Sequence, residues 1–253
     1  MSAAEAPGPR VLVVEHEAGA PAGLLGTWLV EAGALLDVRR PYAGDALPAD
    51  LAGHDVLLVL GGSMGAHDDA DHPWLTLTKE LLREAAATGV PALGICLGHQ
   101  LAAAALGGRS APDPAGQQLG LLEVGWTPAA RDDALVGPLT RTAGRGLHWN
   151  GDVVAPAPEG TVVLARSPGG RLQAARFAPT VWGLQLHPEV DEAIVATWAA
   201  EEEHPDRYAP VVREVAGAHA ELERAWRPLA AALLAAPRGA QPAAGCSQGP
   251  ATP

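Results

Sequence analysis

The stretch Gly94-Ile95-Cys96-Leu97-Gly98-His99-Gln100 contains a side chain able to do covalent chemistry. An apolar run from Val90 to Ile95 precedes it, and Leu101 to Leu106, all good helix formers, follow it. That order reads as strand, sharp turn, helix, with Cys96 at the turn. Gly-x-Cys-x-Gly is the cysteine form of a nucleophile elbow, in which the flanking glycines let strand and helix cross closely. The attacking species is a thiolate, and a free thiol is mostly protonated at neutral pH. A helix N-terminus places partial positive charge beside the sulfur and favours ionisation. It also leaves the N–H of Leu97 free to meet a developing oxyanion. The plainer alternative is that Cys96 is a small buried apolar residue, as most free cysteines are.

About ninety residues further on stands His187-Pro188-Glu189, preceded by the apolar run Val181-Trp182-Gly183-Leu184-Gln185-Leu186. By itself this could mark a core histidine. The two motifs in this order resemble those of the class I glutamine amidotransferase family, GMP synthase amidotransferase domains among them. Gly183, Gln185, His187, Pro188 and Glu189 match that family's Gly-x-Gln-x-His-Pro-Glu pattern. The resemblance covers residues 10–200 or so and implies an open, mostly parallel α/β sheet of flavodoxin-like type. It further implies a Cys96, His187, Glu189 triad. Cys96 would attack the side-chain amide carbon of glutamine and His187 would shuttle the proton. Glu189 would orient the imidazole, since positions i and i+2 of an extended chain face the same way.

Other roles follow from the same resemblance. In Gly61-Gly62, the second glycine would donate its N–H to the oxyanion together with Leu97; without the resemblance the pair is an ordinary tight turn. Gln100 would contact substrate, its alternative being a packing residue, and His99 reads as packing. His148-Trp149-Asn150-Gly151-Asp152 resembles a His-x-His-Gly-Asp segment whose backbone holds the α-amino and α-carboxylate ends of glutamine. Gly151 and Asp152 are therefore binding candidates. Asn150 stands where a second histidine is usual, and its side chain is assigned no role. The loop His67-Asp68-Asp69-Ala70-Asp71-His72 fits no metal-ligand spacing and reads as a solvated loop, so no metal is expected.

Elements able to position these groups can be read along the chain. Residues 10–15 form a valine-rich strand, 21–32 a helix stopped by Gly33, and 35–39 a second strand. Residues 55–60 form an almost wholly apolar strand, as in a parallel sheet covered on both faces. Residues 73–88 form a helix, and 90–95 the strand that delivers Cys96. From about Leu119 the pattern becomes β-rich, with strand-like runs at 121–126, 145–149, 161–166, 171–177 and 181–186. Ser167-Pro168-Gly169-Gly170 reads as a hairpin turn. A helix over 190–203 follows. Then comes a helical stretch over 206–236, kinked at Pro228, with Val211, Val215, Leu222, Trp226, Leu229 and Leu233 on one face. That face either docks on the chain's own domain or forms a dimer or partner seam. The expected organisation is a disordered N-terminus (1–9), an amidotransferase domain (10–203), a C-terminal helical extension (204–236) and a disordered tail (237–253).

Composition excludes other classes. The net charge of −12 repels phosphate backbones and anionic membranes. No run is apolar over the eighteen or so residues a bilayer span needs, and residues 1–10 have no apolar signal core. The two cysteines, Cys96 and Cys246, are no disulfide framework, and a working thiol suits the reducing cytoplasm. No Gly-rich phosphate loop appears, and the length leaves no room for a synthetase domain. The expectation is a cofactor-free glutaminase that passes ammonia to a separate synthase. The alternatives are a free-standing hydrolase of γ-glutamyl amines or peptides, and a non-enzymatic regulator that retains the fold.

Overall fold

The structure, a computed structural model, describes residues 7–239. The elements in order are β1 (Arg10–Val14), α1 (Gly23–Glu31), β2 (Leu35–Arg39), β3 (Val56–Val59), α2 (Trp74–Thr88), β4 (Ala92–Ile95), α3 (Leu97–Ala105), β5 (Ser110–Pro112), β6 (Gln118–Glu123), β7 (Arg145–Asn150), β8 (Asp152–Val154), β9 (Val162–Arg166), β10 (Leu172–Ala178), β11 (Val181–Leu184), α4 (Glu192–Glu201), α5 (Pro205–Trp226) and α6 (Pro228–Leu234).

Seven strands form one sheet in the order β2-β1-β3-β4-β11-β10-β9. Strands β2, β1, β3, β4 and β11 run parallel; β10 and β9 extend the sheet antiparallel. Two small antiparallel pairs, β5–β8 and β6–β7, lie outside it. Burial on both faces explains the uninterrupted apolar runs. Along β1, Val11 and Val13 enter one core and Leu12 and Val14 the other, the alternation a strand imposes. The first core includes Leu25, Trp28 and Leu29 of α1; the second includes Leu75, Leu81 and Leu82 of α2 and Leu97 and Leu101 of α3.

Most elements fall where the apolar pattern places them, with ends trimmed by one to three residues. Gly33 takes the left-handed conformation (φ 91°) that ends α1's turn, and Gly170 (φ 80°) closes the β9–β10 hairpin. The expected strand at 121–126 instead spans Gln118–Glu123, so Gly125 and Trp126 leave the ladder. Strands β5 and β8, three residues each, give no signal in the sequence because a partner, not a local pattern, makes them strands. The single kinked helix expected over 206–236 is two helices broken at Arg227, because Pro228 starts α6 and cannot continue α5.

The apolar face of this helical stretch packs on the chain itself. Val211, Val215, Leu222, Trp226, Leu229 and Leu233 are all buried in the first core. Trp226 Nε1 donates to the Arg145 carbonyl (3.0 Å), and Arg227 pairs with Glu31 of α1. The described chain also runs past both expected domain ends. The Pro9 carbonyl accepts from Leu35 N–H (2.9 Å), and Arg238 pairs with Asp55 (2.6 Å). The expected disorder of the N-terminus and tail otherwise concerns residues outside those described, Cys246 among them. No described helix is long and apolar enough to cross a membrane.

Three histidines, His16, His99 and His148, are fully buried. Burial holds the His16 imidazole down to about 3, helped by His72 nearby. Burial also holds His99 and His148 at about 4; the Gly183 backbone opposes it at His99, and His187 adds to it at His148. All three stay neutral when folded but take up a proton when unfolded below about 6.5. The unfolded chain therefore binds more protons between about pH 4 and 6.5, and stability falls as pH drops through that window. The loss should approach about 1.4 kcal/mol per pH unit for each histidine. Melting temperature measured from pH 7.5 to 4.5 should decline steeply below 6.5, and a flat profile would refute the neutral assignment. The crossing of β4 and α3 gives a second prediction. A Cβ on Gly98 would overlap the Val59 carbonyl, and one on Gly94 would overlap the Gly98 carbonyl. Gly98→Ala should cost more than about 3 kcal/mol in denaturant unfolding, because the obstruction is backbone and cannot step aside; a loss under about 1 kcal/mol would count against the close crossing.

Candidate active site

Cys96 directly follows β4 and caps the N-terminus of α3. Its backbone (φ 49°, ψ −103°) is the sole positive-φ non-glycine conformation among the described residues. Such strain persists only where the surroundings over-determine it. Here Cys96 N–H donates to the Leu184 carbonyl of β11 (2.8 Å), the Cys96 carbonyl accepts from Gln100 N–H (3.1 Å), and Gly98 N–H donates to the Leu60 carbonyl (3.2 Å). These bonds pin the turn to both neighbouring strands.

β11 lies parallel and adjacent to β4, with Leu184 opposite Ile95, so the residues after Leu184 emerge beside the elbow. His187 N–H donates to the Leu147 carbonyl (2.8 Å), and its ring Nδ1 bonds Glu189 Oε1 (2.7 Å). Both side chains are almost fully buried, and Trp198 of α4 packs edge-on against the imidazole (4.8 Å between centroids). Nε2 of His187 is buried and without a hydrogen-bond partner among the described residues, and the Cys96 sulfur is its neighbour. Burial alone would lower the imidazole, but the Glu189 carboxylate and the Cys96 sulfur outweigh it and raise it to about 10. The stability this supplies is complete below about 6.5 and is lost as pH rises through the folded-state value.

The other sequence-derived candidates converge on the same place. A cleft of about 410 Å³ is lined by Gly62, Cys96, Gln100, Gly151, Asp152 and His187. Gly61 faces the pair: a Cβ there would touch His187 Cε1 and Cys96 Cβ. Gly62 lies against Leu97, whose N–H at the first position of α3 has no partner within the helix. Gln100 turns its amide Nε2 inward, to the Asp152 carbonyl and to Gln185 Oε1 (both 3.3 Å). The Asp152 carboxyl is raised by partial burial, with Asp68 adding to this and His67 opposing it. His99 is a packing residue, tilted against Phe177 (5.1 Å).

Several neighbours of the site carry no mark in the sequence. Glu17, just past β1, accepts from both Ser63 N–H (3.0 Å) and Ser63 Oγ (2.6 Å), fastening the loop that carries Gly62. Its position beyond the carboxyl end of a parallel strand is the one signal that could have found it. Trp198, held by a bond from Nε1 to the Gly19 carbonyl (2.7 Å), and Trp149, stacked on Tyr208 (4.9 Å), form an aromatic wall. Glu201 and Glu202 border the outer cleft. Asn150, to which the sequence assigns no role, is buried and donates to the Asp152 carbonyl (3.0 Å). The 67–72 loop is solvated, with His67, Asp68, Ala70 and Asp71 exposed, and it is tied locally: Asp68 accepts from Gly65 N–H (2.7 Å), and Asp69 pairs with Lys79 (2.6 Å). Among the described residues no His, Cys, Asp or Glu cluster is arranged to hold a metal.

Residues 28–194 match the family model for glutamine amidotransferase class-I. The chain is 32% identical over 187 residues to the glutamine amidotransferase-like protein YfeJ of Salmonella typhimurium, covering 71% of this chain and 75% of that protein. It is 42% identical over 103 residues to a glutamine-hydrolyzing GMP synthase subunit from Methanosarcina mazei, covering 40% of this chain and about half (51%) of that protein. A crystal structure of a Thermotoga maritima glutamine amidotransferase shares the fold, with a TM-score of 0.78, 24% identity, and coverage of 89% of this chain and 96% of that one. The chain therefore belongs to the class-I glutamine amidotransferase family, whose members are cysteine-dependent glutamine amidohydrolases.

Proposed function

We propose that this chain hydrolyses the side-chain amide of L-glutamine through Cys96, His187 and Glu189. The observation that carries the reading is the strained elbow at Cys96 facing a buried imidazole whose far nitrogen is held by Glu189 at 2.7 Å. At rest His187 already holds the thiol's proton as an imidazolium, in keeping with its raised pKa; the thiolate sulfur adds to the amide carbon, and the N–H groups of Leu97 and Gly62 receive the oxyanion. The imidazolium then protonates the departing nitrogen, which leaves as ammonia. Water, activated by the neutral imidazole, cleaves the γ-glutamyl thioester to glutamate and restores the thiol. Glu189 keeps the imidazole in the tautomer that presents Nε2 to sulfur and steadies its cationic form. Gln100, Gly151 and Asp152 bound the space for the amino-acid end of the substrate.

The likeness to the Methanosarcina GMP synthase protein supports a separate synthase as the acceptor of ammonia, and the free thiol suits the cytoplasm. A second reading, hydrolysis of γ-glutamyl amines, draws on the outer cleft: beyond Cys96 it continues to Trp149, Trp198, Glu201 and Glu202, leaving room for a substituent on the amide nitrogen.

Glutamate release from L-glutamine should fall by at least about a thousandfold in Cys96→Ala and His187→Ala, and by about a hundredfold or more in Glu189→Gln. Turnover that survives Cys96→Ala would reject both readings. Turnover of γ-glutamyl amines without turnover of glutamine would select the second.

A further inference from the structure

The sulfur of Cys96 has a second polar neighbour that the triad does not use. Gln185 is fully buried, and its Nε2 donates to Cys96 Sγ (3.6 Å). An amide can present either its oxygen or its nitrogen, so its orientation has to be fixed from elsewhere. Gln100 fixes it. Gln100 Nε2 donates to Gln185 Oε1 (3.3 Å), which commits the oxygen and leaves the nitrogen to face the sulfur. Gln100 Nε2 also donates to the Asp152 carbonyl (3.3 Å), and that carbonyl accepts in turn from Asn150 Nδ2 (3.0 Å). Asn150 Nδ2 reaches Gln118 Oε1 (3.4 Å), which also accepts from Gln173 Nε2 (2.9 Å). All five amide side chains are buried. The result is a connected file of amides ending at the nucleophile.

We propose that Gln185 is a hydrogen-bond donor to the Cys96 sulfur, stabilising and aiming the nucleophile, and that Gln100 is the positioning residue that keeps its amide nitrogen turned toward sulfur. A hydrogen bond to an anion is shorter and stronger than one to a neutral group, so this bond strengthens as the sulfur gains charge. A carbonyl oxygen in the same place would repel it. The role accounts for why a polar amide is tolerated at full burial between Leu184 and Leu186.

The inference builds on Cys96 as nucleophile but is tested without turnover. Iodoacetamide alkylation reads sulfur reactivity directly and needs no glutamine, so its result stands apart from whether glutamine is the substrate. In a Cys246→Ser background Cys96 is the single thiol. Gln185→Met, close in volume but unable to donate, should be alkylated at pH 7 about tenfold more slowly than the parent. Gln185→Glu, isosteric and still an acceptor for Gln100, places a second oxygen against the sulfur and should be slower still. Gln100→Met, which frees the amide to turn, should fall between Gln185→Met and the parent. Thr180→Val, which removes a buried hydroxyl just before β11 and far from the sulfur, is the control and should stay within about twofold. Near-UV circular dichroism confirms folding of each. A folded Gln185→Met or Gln185→Glu alkylated as fast as the parent would overturn the proposal. So would Thr180→Val slowing as much as Gln185→Met, since the effect would then be general loosening of the core. If Gln185→Met does not fold, the isosteric Gln185→Glu decides by the same rates.

Discussion

The structure depends on one strained residue. Cys96 holds a backbone conformation that a side chain disfavours by about 1–3 kcal/mol. It is held there by ladder bonds from two sides and by two glycines whose missing side chains let β4 and α3 cross. Relaxing the turn would bring Leu97 out of line with the helix axis and swing the sulfur away from His187. The apolar, parallel strands on either side are what make the turn rigid. A parallel sheet buried on both faces gives the elbow no soft side on which to relax.

The strand order does the remaining positioning. β4 sits between β3 and β11, so the two segments that leave those strands arrive beside the elbow from opposite sides. The β3 exit brings Gly61 and Gly62. The β11 exit brings Gln185, His187 and Glu189, carried on a bend and a turn that follow the strand, while Leu184 and Leu186 enter the core.

Much of this is legible in the sequence because the informative residues are local to it. Gly94 and Gly98 announce a crossing, the run over 55–60 announces a buried strand, and His187 and Glu189 stand two apart. What stays hidden depends on contacts between distant segments. Glu17 and Ser63, Trp198 and Gly19, and Gln100 and Gln185 meet only after folding, and no periodicity marks them. Asn150 escapes notice because a departure from the usual histidine reads as loss of role; burial and two hydrogen bonds give it a different one. The three-residue strands β5 and β8 are invisible for a related reason, since each is defined by its partner.

The C-terminal helices reach the site as well as the core. Trp198 on α4 packs against His187, and Tyr208 on α5 stacks on Trp149, so the outer wall of the cleft is built by a part of the chain remote from the elbow. On the proposed reading, bond-making and selection of what enters are held on different segments. The α4–α5 corner can lengthen, shift or exchange its aromatic and acidic side chains while β4, α3 and β11 keep their register. A lineage that carries this chain can therefore change its clientele without reopening the problem of how to break the bond.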